Sequence, residues 1–318
     1  MHDLLSRFRL TFSHIRHDLA IPGSPERCIT RSVAETTDGG LWLVERLGEN
    51  QAASRATVAA LLEKLAAGNA PFIHAPACTE DGGHILHATD GTEHGIWQCT
   101  PFITGVELPR PDYIDDAWRG RLIGQFITGL QKAGNTLPEL PEANTPALPS
   151  YVAALADTIR QREPGIHARI AEILPHFTPL FTMLPHLPVA IAHGDCHPLN
   201  IIWGEDTIRG VIDWEFAGRK PALYDAANCI GCVGFEHPDW LVRGLVPALI
   251  AELHAGAVLT DETLPWLLPF TCALRFAWLS EWLRRKDREM IDMELDYMHI
   301  LLRHGKAIES RWREACQS

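Results

Sequence analysis

Asp195, Asn200 and Asp213 are a carboxylate, a carboxamide and a second carboxylate, brought up by three short apolar runs that follow one another closely. Val189 to Ala192 reads as a buried strand that ends on the polar cluster His193-Gly194-Asp195-Cys196-His197. A second run, Asn200 to Trp203, turns at Gly204-Glu205-Asp206, and a third, Ile208 to Ile212, delivers Asp213. Polar loops at strand ends are where folds tend to place chemistry. A carboxylate that accepts a hydroxyl proton, with an amide oxygen and a second carboxylate to hold Mg²⁺, is the set that phosphoryl transfer uses. Few side chains suffice, because the transferring group is already activated and the protein supplies positioning and charge neutralisation.

The segments HGDCHPLN, VIDWEFAG and ALYDAAN, which hold these residues and Asp225, resemble the aminoglycoside phosphotransferase and choline kinase group of small-molecule kinases. The catalytic loop of that group reads HGDxHxxN and its metal-binding segment IDWE or IDFE. The resemblance implies Asp195 as catalytic base, Asn200 and Asp213 as Mg²⁺ ligands, and Asp225 as a brace for the loop. It also implies an α+β, two-lobed protein-kinase-like fold. A small antiparallel-sheet lobe would span 1–104 and a larger, mainly helical lobe 105–318. The expected reaction moves the γ-phosphoryl group of ATP to a hydroxyl of a small molecule of aminoglycoside, amino alcohol, homoserine or sugar type.

The elements that would position a nucleotide are less regular. Ile21 to Glu26 is a turn, in which Gly23 and Ser24 are candidates to cover phosphates with backbone N–H groups. Arg27 to Ala34 and Leu41 to Leu47 read as a hairpin about Asp38-Gly39-Gly40. The second of these strands, LWLVERL, has no Lys, so Arg46 is the expected phosphate-gripping cation. Strand alternation allows Arg46 or Glu45 to face the nucleotide, but not both. In the following helix, 51–67, the acidic residue is Glu63. Further strands are expected over 83–88 and 95–102, where the backbone of Gln98, Cys99 and Thr100 would offer hydrogen bonds to adenine.

From Asp112 onward helical periodicity dominates, with runs over 112–134, 151–162, 166–183, 240–253, 264–285 and 290–308. The chain has 318 residues and a net charge of −12, which argues against a nucleic-acid partner. The apolar stretch Leu264 to Leu283 contains Pro269, Arg275 and Glu281 and suits a buried helix better than a membrane span. MHDLLSRFRL has no signal-peptide core, so a cytoplasmic location is expected. Cys229 and Cys232 read as core thiols, without a second pair to make a zinc site. Two other readings stay open. One is a metal-dependent hydrolase using His193, Asp195, His197 and Asp213; the other is a catalytically weak pseudokinase, prompted by the missing strand Lys.

Overall fold

In the computed structural model, residues 1–21, 28–90, 93–139, 141–142 and 146–317 are described. The first hundred residues form α1 (His2–Ser6), β1 (Phe12–Ile15), β2 (Thr30–Thr36), β3 (Leu41–Leu47), α2 (Ala52–Ala67), β4 (Leu86–Asp90) and β5 (Glu93–Pro101). The strands make one antiparallel sheet in the order β1-β2-β3-β5-β4. Gly39, with φ 83°, makes the β2–β3 turn possible, since this left-handed backbone excludes most side chains. Alternation then divides the sheet. Ala34, Val44, Trp97 and Cys99 pack with Leu4, Leu5 and Phe8 from the α1 region. Glu45 is on the other face, where it meets Arg55 of α2.

The remaining helices before the catalytic segment are α3 (Ala117–Gly134), α4 (Leu148–Arg162), α5 (Pro164–Ile173) and α6 (Thr178–Met183). The single helix expected over 166–183 is broken by a 3₁₀ turn at Leu174–Phe177, where Pro175 removes the donor that would continue the α-helical ladder. Then come β6 (Val189–Ala192), β7 (Ile201–Trp203), β8 (Ile208–Val211) and β9 (Gly218–Pro221). The chain closes with α7 (Tyr224–Glu236), α8 (Leu245–Ala255), α9 (Leu264–Arg285) and α10 (Arg288–Cys316).

Two compact units result: Met1–Val106 with Ile202–Glu215, and Glu107–Ile201 with Phe216–Ser318. Residues 202–215 fall on the far side of the division expected at 104/105, yet they join the first unit. Val106 N–H donates to Trp203 O at 2.8 Å, Val211 N–H to Phe72 O at 3.1 Å, and His74 Nε2 lies 2.8 Å from Arg209 O.

In the second unit α3 lies against α8 at Gly120, where a Cβ would stand 2.0 Å from the Leu245 carbonyl oxygen. Further along, α9 and α10 are joined by a buried ion pair. Arg275 Nε and Nη2 donate to Glu294 at 2.6 and 2.7 Å, and Trp282 Nε1 donates to the same carboxylate at 3.1 Å. Among the described residues, no helix is long and apolar enough to cross a membrane.

Candidate active site

The catalytic segment starts from a two-stranded sheet in which β6 pairs antiparallel with β9, Val189 opposite Pro221 and Ala192 opposite Gly218. Ile191 and Ala192 are buried, which anchors the loop that leaves this strand. Gly194 has φ 87°, and a Cβ there would lie 2.3 Å from the Phe216 carbonyl oxygen, so both conformation and space require glycine. The N–H groups of His193 and Gly194 donate to the two oxygens of Asp225, at 2.7 and 2.9 Å. Asp225 sits in the first turn of α7 and is buried. Burial pushes its carboxyl upward, while the nearby His193, the two N–H donors and Lys220 oppose that. This is the bracing expected of Asp225.

The histidines of the loop also act as fasteners. His193 Nδ1 accepts from Asp195 N–H at 3.1 Å, and His197 Nδ1 accepts from Leu199 N–H at 3.3 Å, capping the 3₁₀ turn Pro198–Asn200. His193 is fully buried, with its Nδ1 engaged by the Asp195 N–H.

Asp195 is held from several sides. Asn200 Nδ2 donates to its carbonyl oxygen at 2.9 Å and to Oδ2 at 3.0 Å. Asn228 Nδ2 lies 3.4 Å from Oδ1 and donates to Cys196 O at 3.1 Å. His197 Nε2 is 3.6 Å from Oδ2; with Nδ1 acting as acceptor, Nε2 carries the proton that faces the carboxylate. Burial pushes the Asp195 carboxyl up, but His197 above all, with His193 and Asn200, outweighs it and holds the group below the usual carboxylate range. Asp195 is therefore an anion at neutral pH, fixed in orientation, and able to accept a proton. Beyond His197 stands an aromatic wall from α9. The His197 and Trp278 rings are 6.4 Å apart, and Trp278 stacks on Trp282 at 5.7 Å.

Asn228 was not singled out from the sequence. Its signal was the third residue after Asp225, one helical turn on, inside the ALYDAAN segment.

Asp213 follows β8 in the first unit, with φ 71°. A left-handed backbone is uncommon outside glycine and is best tolerated by Asn and Asp; such strain tends to be kept where a side chain must be aimed. Trp214 Nε1 donates to Val211 O at 2.8 Å and ties the bend back onto its strand.

The nucleotide-binding residues expected in the sheet are arranged differently from the sequence reading. Gly23 and Ser24 lie outside the described residues. Arg46 shares a sheet face with Val44 and Trp97, away from α2, and its Nη2 donates to His94 O at 2.9 Å. Gly95 leaves room for it, since a Cβ there would be 2.7 Å from Arg46 Nε. Glu45 is the residue on the helix side, and its Oε2 is 3.7 Å from Arg55 Nη1. Alternation thus puts Arg46 on the sheet face opposite Glu45 and α2. Gln98 and Thr100 pair with Glu45 and Leu43 of β3, Cys99 points into the core, and its carbonyl accepts from Ala77 N–H at 2.8 Å.

Comparison with known proteins is consistent with this geometry. A family model described as the phosphotransferase enzyme family matches residues 31–270. A homoserine kinase from Rhodospirillum rubrum is 30% identical over 253 residues, covering 77% of this chain and 75% of that protein. A homoserine kinase from Rhodopseudomonas palustris is 29% identical over 204 residues, 63% of this chain and 60% of that one. Among solved structures, an aminoglycoside phosphotransferase from Alicyclobacillus acidocaldarius superposes with a TM-score of 0.63 at 13% identity, covering 98% of this chain and 95% of that one. The fold is therefore the two-lobed kinase-like one.

Proposed function

Because this chain belongs to the phosphotransferase enzyme family, we propose that it is a small-molecule kinase that moves the γ-phosphoryl group of ATP to an alcohol hydroxyl, with Asp195 as base. The observation that carries this reading is the clamped anionic carboxylate of Asp195, whose oxygens are oriented by Asn200, Asn228 and His197. A base fixed in this way takes the acceptor's proton as the oxygen attacks phosphorus, without first having to be ordered.

The donor set fits Mg²⁺. Asn200 spends its amide nitrogen on Asp195, so its oxygen is the atom it presents, and Asp213 offers a carboxylate; both are hard oxygen donors. When bound, Mg²⁺ would neutralise charge on the β- and γ-phosphates. Trp278, next to His197, offers the acceptor an aromatic face suited to an aliphatic stem or an ammonium group. Homoserine carries both and is the first acceptor to try, since relatives bear the name homoserine kinase.

The fixed cation for the nucleotide is Arg55. Kinases commonly pair a strand Lys with a helix Glu. Here the pair joins the same two elements with the charges exchanged, Glu45 on β3 and Arg55 on α2. Glu45 is 8% exposed at its side chain and Arg55 29%, so the arginine is the accessible partner and the carboxylate steadies it. Arg55→Ala is expected to weaken ATP binding by roughly 2 kcal/mol, the scale of a charge-assisted contact, and Arg46→Ala to change it little. Calorimetric titration of ATP into both variants checks this, and the reverse ranking would return the role to Arg46.

The assignment is tested by ADP release from Mg-ATP over a panel containing homoserine, choline, ethanolamine, an aminoglycoside and a hexosamine. Turnover with one class, abolished by removing Mg²⁺, is the expected result. If no panel member stimulates ADP release and Mg-ATP fails to raise the thermal midpoint, the kinase reading falls.

A further inference from the structure

Away from the residues assigned above, the first unit brings three different metal-ligating groups together. Cys78 and His84 flank a tight turn closed by Thr79 N–H donating to Gly83 O at 2.7 Å, with Gly82 at φ 84° inside it. The turn holds the two side chains side by side, with Cys78 Sγ 3.9 Å from His84 Nδ1. Glu63, from α2, reaches across to both. Its Oε1 is 3.5 Å from Cys78 Sγ and its Oε2 is 3.2 Å from His84 Nε2. One ligand atom from each residue can be chosen so that all lie within 4.8 Å of one another.

The histidine is the informative member. It is 6% exposed, and its Nδ1 lies 3.3 Å from the Ala77 carbonyl oxygen. With the proton on Nδ1, donated to that carbonyl, Nε2 is the nitrogen that presents a lone pair toward the Glu63 carboxylate. In that tautomer Nε2 presents a lone pair beside a carboxylate oxygen at 3.2 Å, the arrangement a metal ion would bridge; in the other, Nε2–H donates to Glu63 and Nδ1 faces the Cys78 thiol at 3.9 Å. A backbone carbonyl on the far nitrogen is also the outer partner that metal-bound histidines commonly have. Tetrahedral zinc with its usual bond lengths separates its S, N and O ligand atoms by about 3.3 to 3.6 Å. The carboxylate contacts of 3.5 and 3.2 Å already sit near that spacing.

We propose that Glu63, Cys78 and His84 form a binding site for a divalent transition metal of the zinc class, tying α2 to the turn that precedes β4. Thiolate, imidazole and carboxylate together suit zinc better than Mg²⁺ or Ca²⁺, which favour all-oxygen sets. Binding converts the Cys78 thiol to a thiolate with an S–metal bond and displaces any proton held between His84 Nε2 and Glu63, so the thiol proton and that proton both pass to solvent. Three protein ligands leave a fourth position for water.

The test uses the full chain, purified with reductant and freed of metal, and titrated with Co²⁺ and then Zn²⁺. The expected result is one equivalent of Co²⁺ giving a near-ultraviolet thiolate charge-transfer band, displaced by one equivalent of Zn²⁺. The band should vanish in Cys78→Ser and survive in Cys232→Ser. His84→Ala and Glu63→Gln should each weaken Zn²⁺ binding by at least about tenfold. If the wild-type chain shows no band at one equivalent, or Cys78→Ser retains it, the proposal is overturned and the site is a proton-bridged His84–Glu63 pair. The wild-type titration needs no variant to fold. Mg-ATP turnover is not part of the readout, so the result stands apart from the kinase assignment.

Discussion

Asp195→Ala lowers turnover by on the order of 10² or more while Mg-ATP binding stays close to that of the wild-type protein. The reason is the division of labour in the loop. In the proposed roles Asn200 and Asp213 would offer the oxygen ligands, whereas Asp195, held by Asn200, Asn228 and His197, would receive the proton. The same contacts give a pH signature. The base works only when deprotonated, so activity is lost as pH falls through its pKa; burial raises that pKa, and His197 is the chief contributor holding it below the usual carboxylate range. His197→Ala should therefore move the acid limb of the turnover profile to higher pH, with ATP affinity little changed. An alanine at 195 that turns over at near wild-type rate on the true acceptor, or an acid limb that does not move, would contradict these roles.

Glu294→Ala costs the protein about 3 to 5 kcal/mol of unfolding free energy, the range for removing one partner of a buried ion pair. Glu294 and Arg275 have side chains 0% and 3% exposed, and the carboxylate takes both guanidinium donors and the Trp282 indole N–H. Without it the guanidinium remains among the Phe235 and Tyr297 rings, 4.8 and 5.5 Å from their centroids, with its charge uncompensated. Replacing both members by leucine should recover most of the loss, because the desolvated charge leaves with its partner. Urea unfolding of the two variants measures this directly, and a Glu294→Ala loss below about 1 kcal/mol would place the pair among ordinary surface bridges.

The catalytic loop was legible because its chemistry is local. Asp195 and Asn200 sit in one short motif, whereas the brace from Asp225 to His193 and Gly194 spans 32 and 31 residues and was expected only from the family resemblance. The helices of the second unit were legible by period, apart from the proline break at Leu174–Phe177 and the run expected over 240–253, which is split at Arg243 and Gly244 between a 3₁₀ turn (Pro238–Val242) and α8. Strand β3 was legible as a strand, and alternation correctly required Glu45 and Arg46 to part. Which of them faced α2 was not readable, because two charged neighbours at the end of an apolar strand fit either face until the α1 region claims one side. Arg55 went unnoticed for a related reason. A lone arginine in the first turns of a helix becomes distinctive only once a buried carboxylate stands opposite it. The grouping of 202–215 with the first unit rests on contacts to Phe72, His74 and Val106, which no local pattern announces.

That grouping makes the first unit discontinuous in sequence. The chain leaves it after Val106, re-enters at Ile202 and leaves again after Glu215, so three peptide crossings join the two units. A cut anywhere between 106 and 202 releases a fragment that has lost its hairpin and exposes the backbone groups of Phe72 and Val106 that the hairpin had satisfied. The complementary fragment keeps the hairpin but not the residues around Phe72, His74 and Val106 that it bonds. Neither unit can thus be exchanged between proteins as a simple module. The residues proposed for metal and proton handling, Asp213 on one unit and Asp195 and Asn200 on the other, are inherited together as a single stretch of chain.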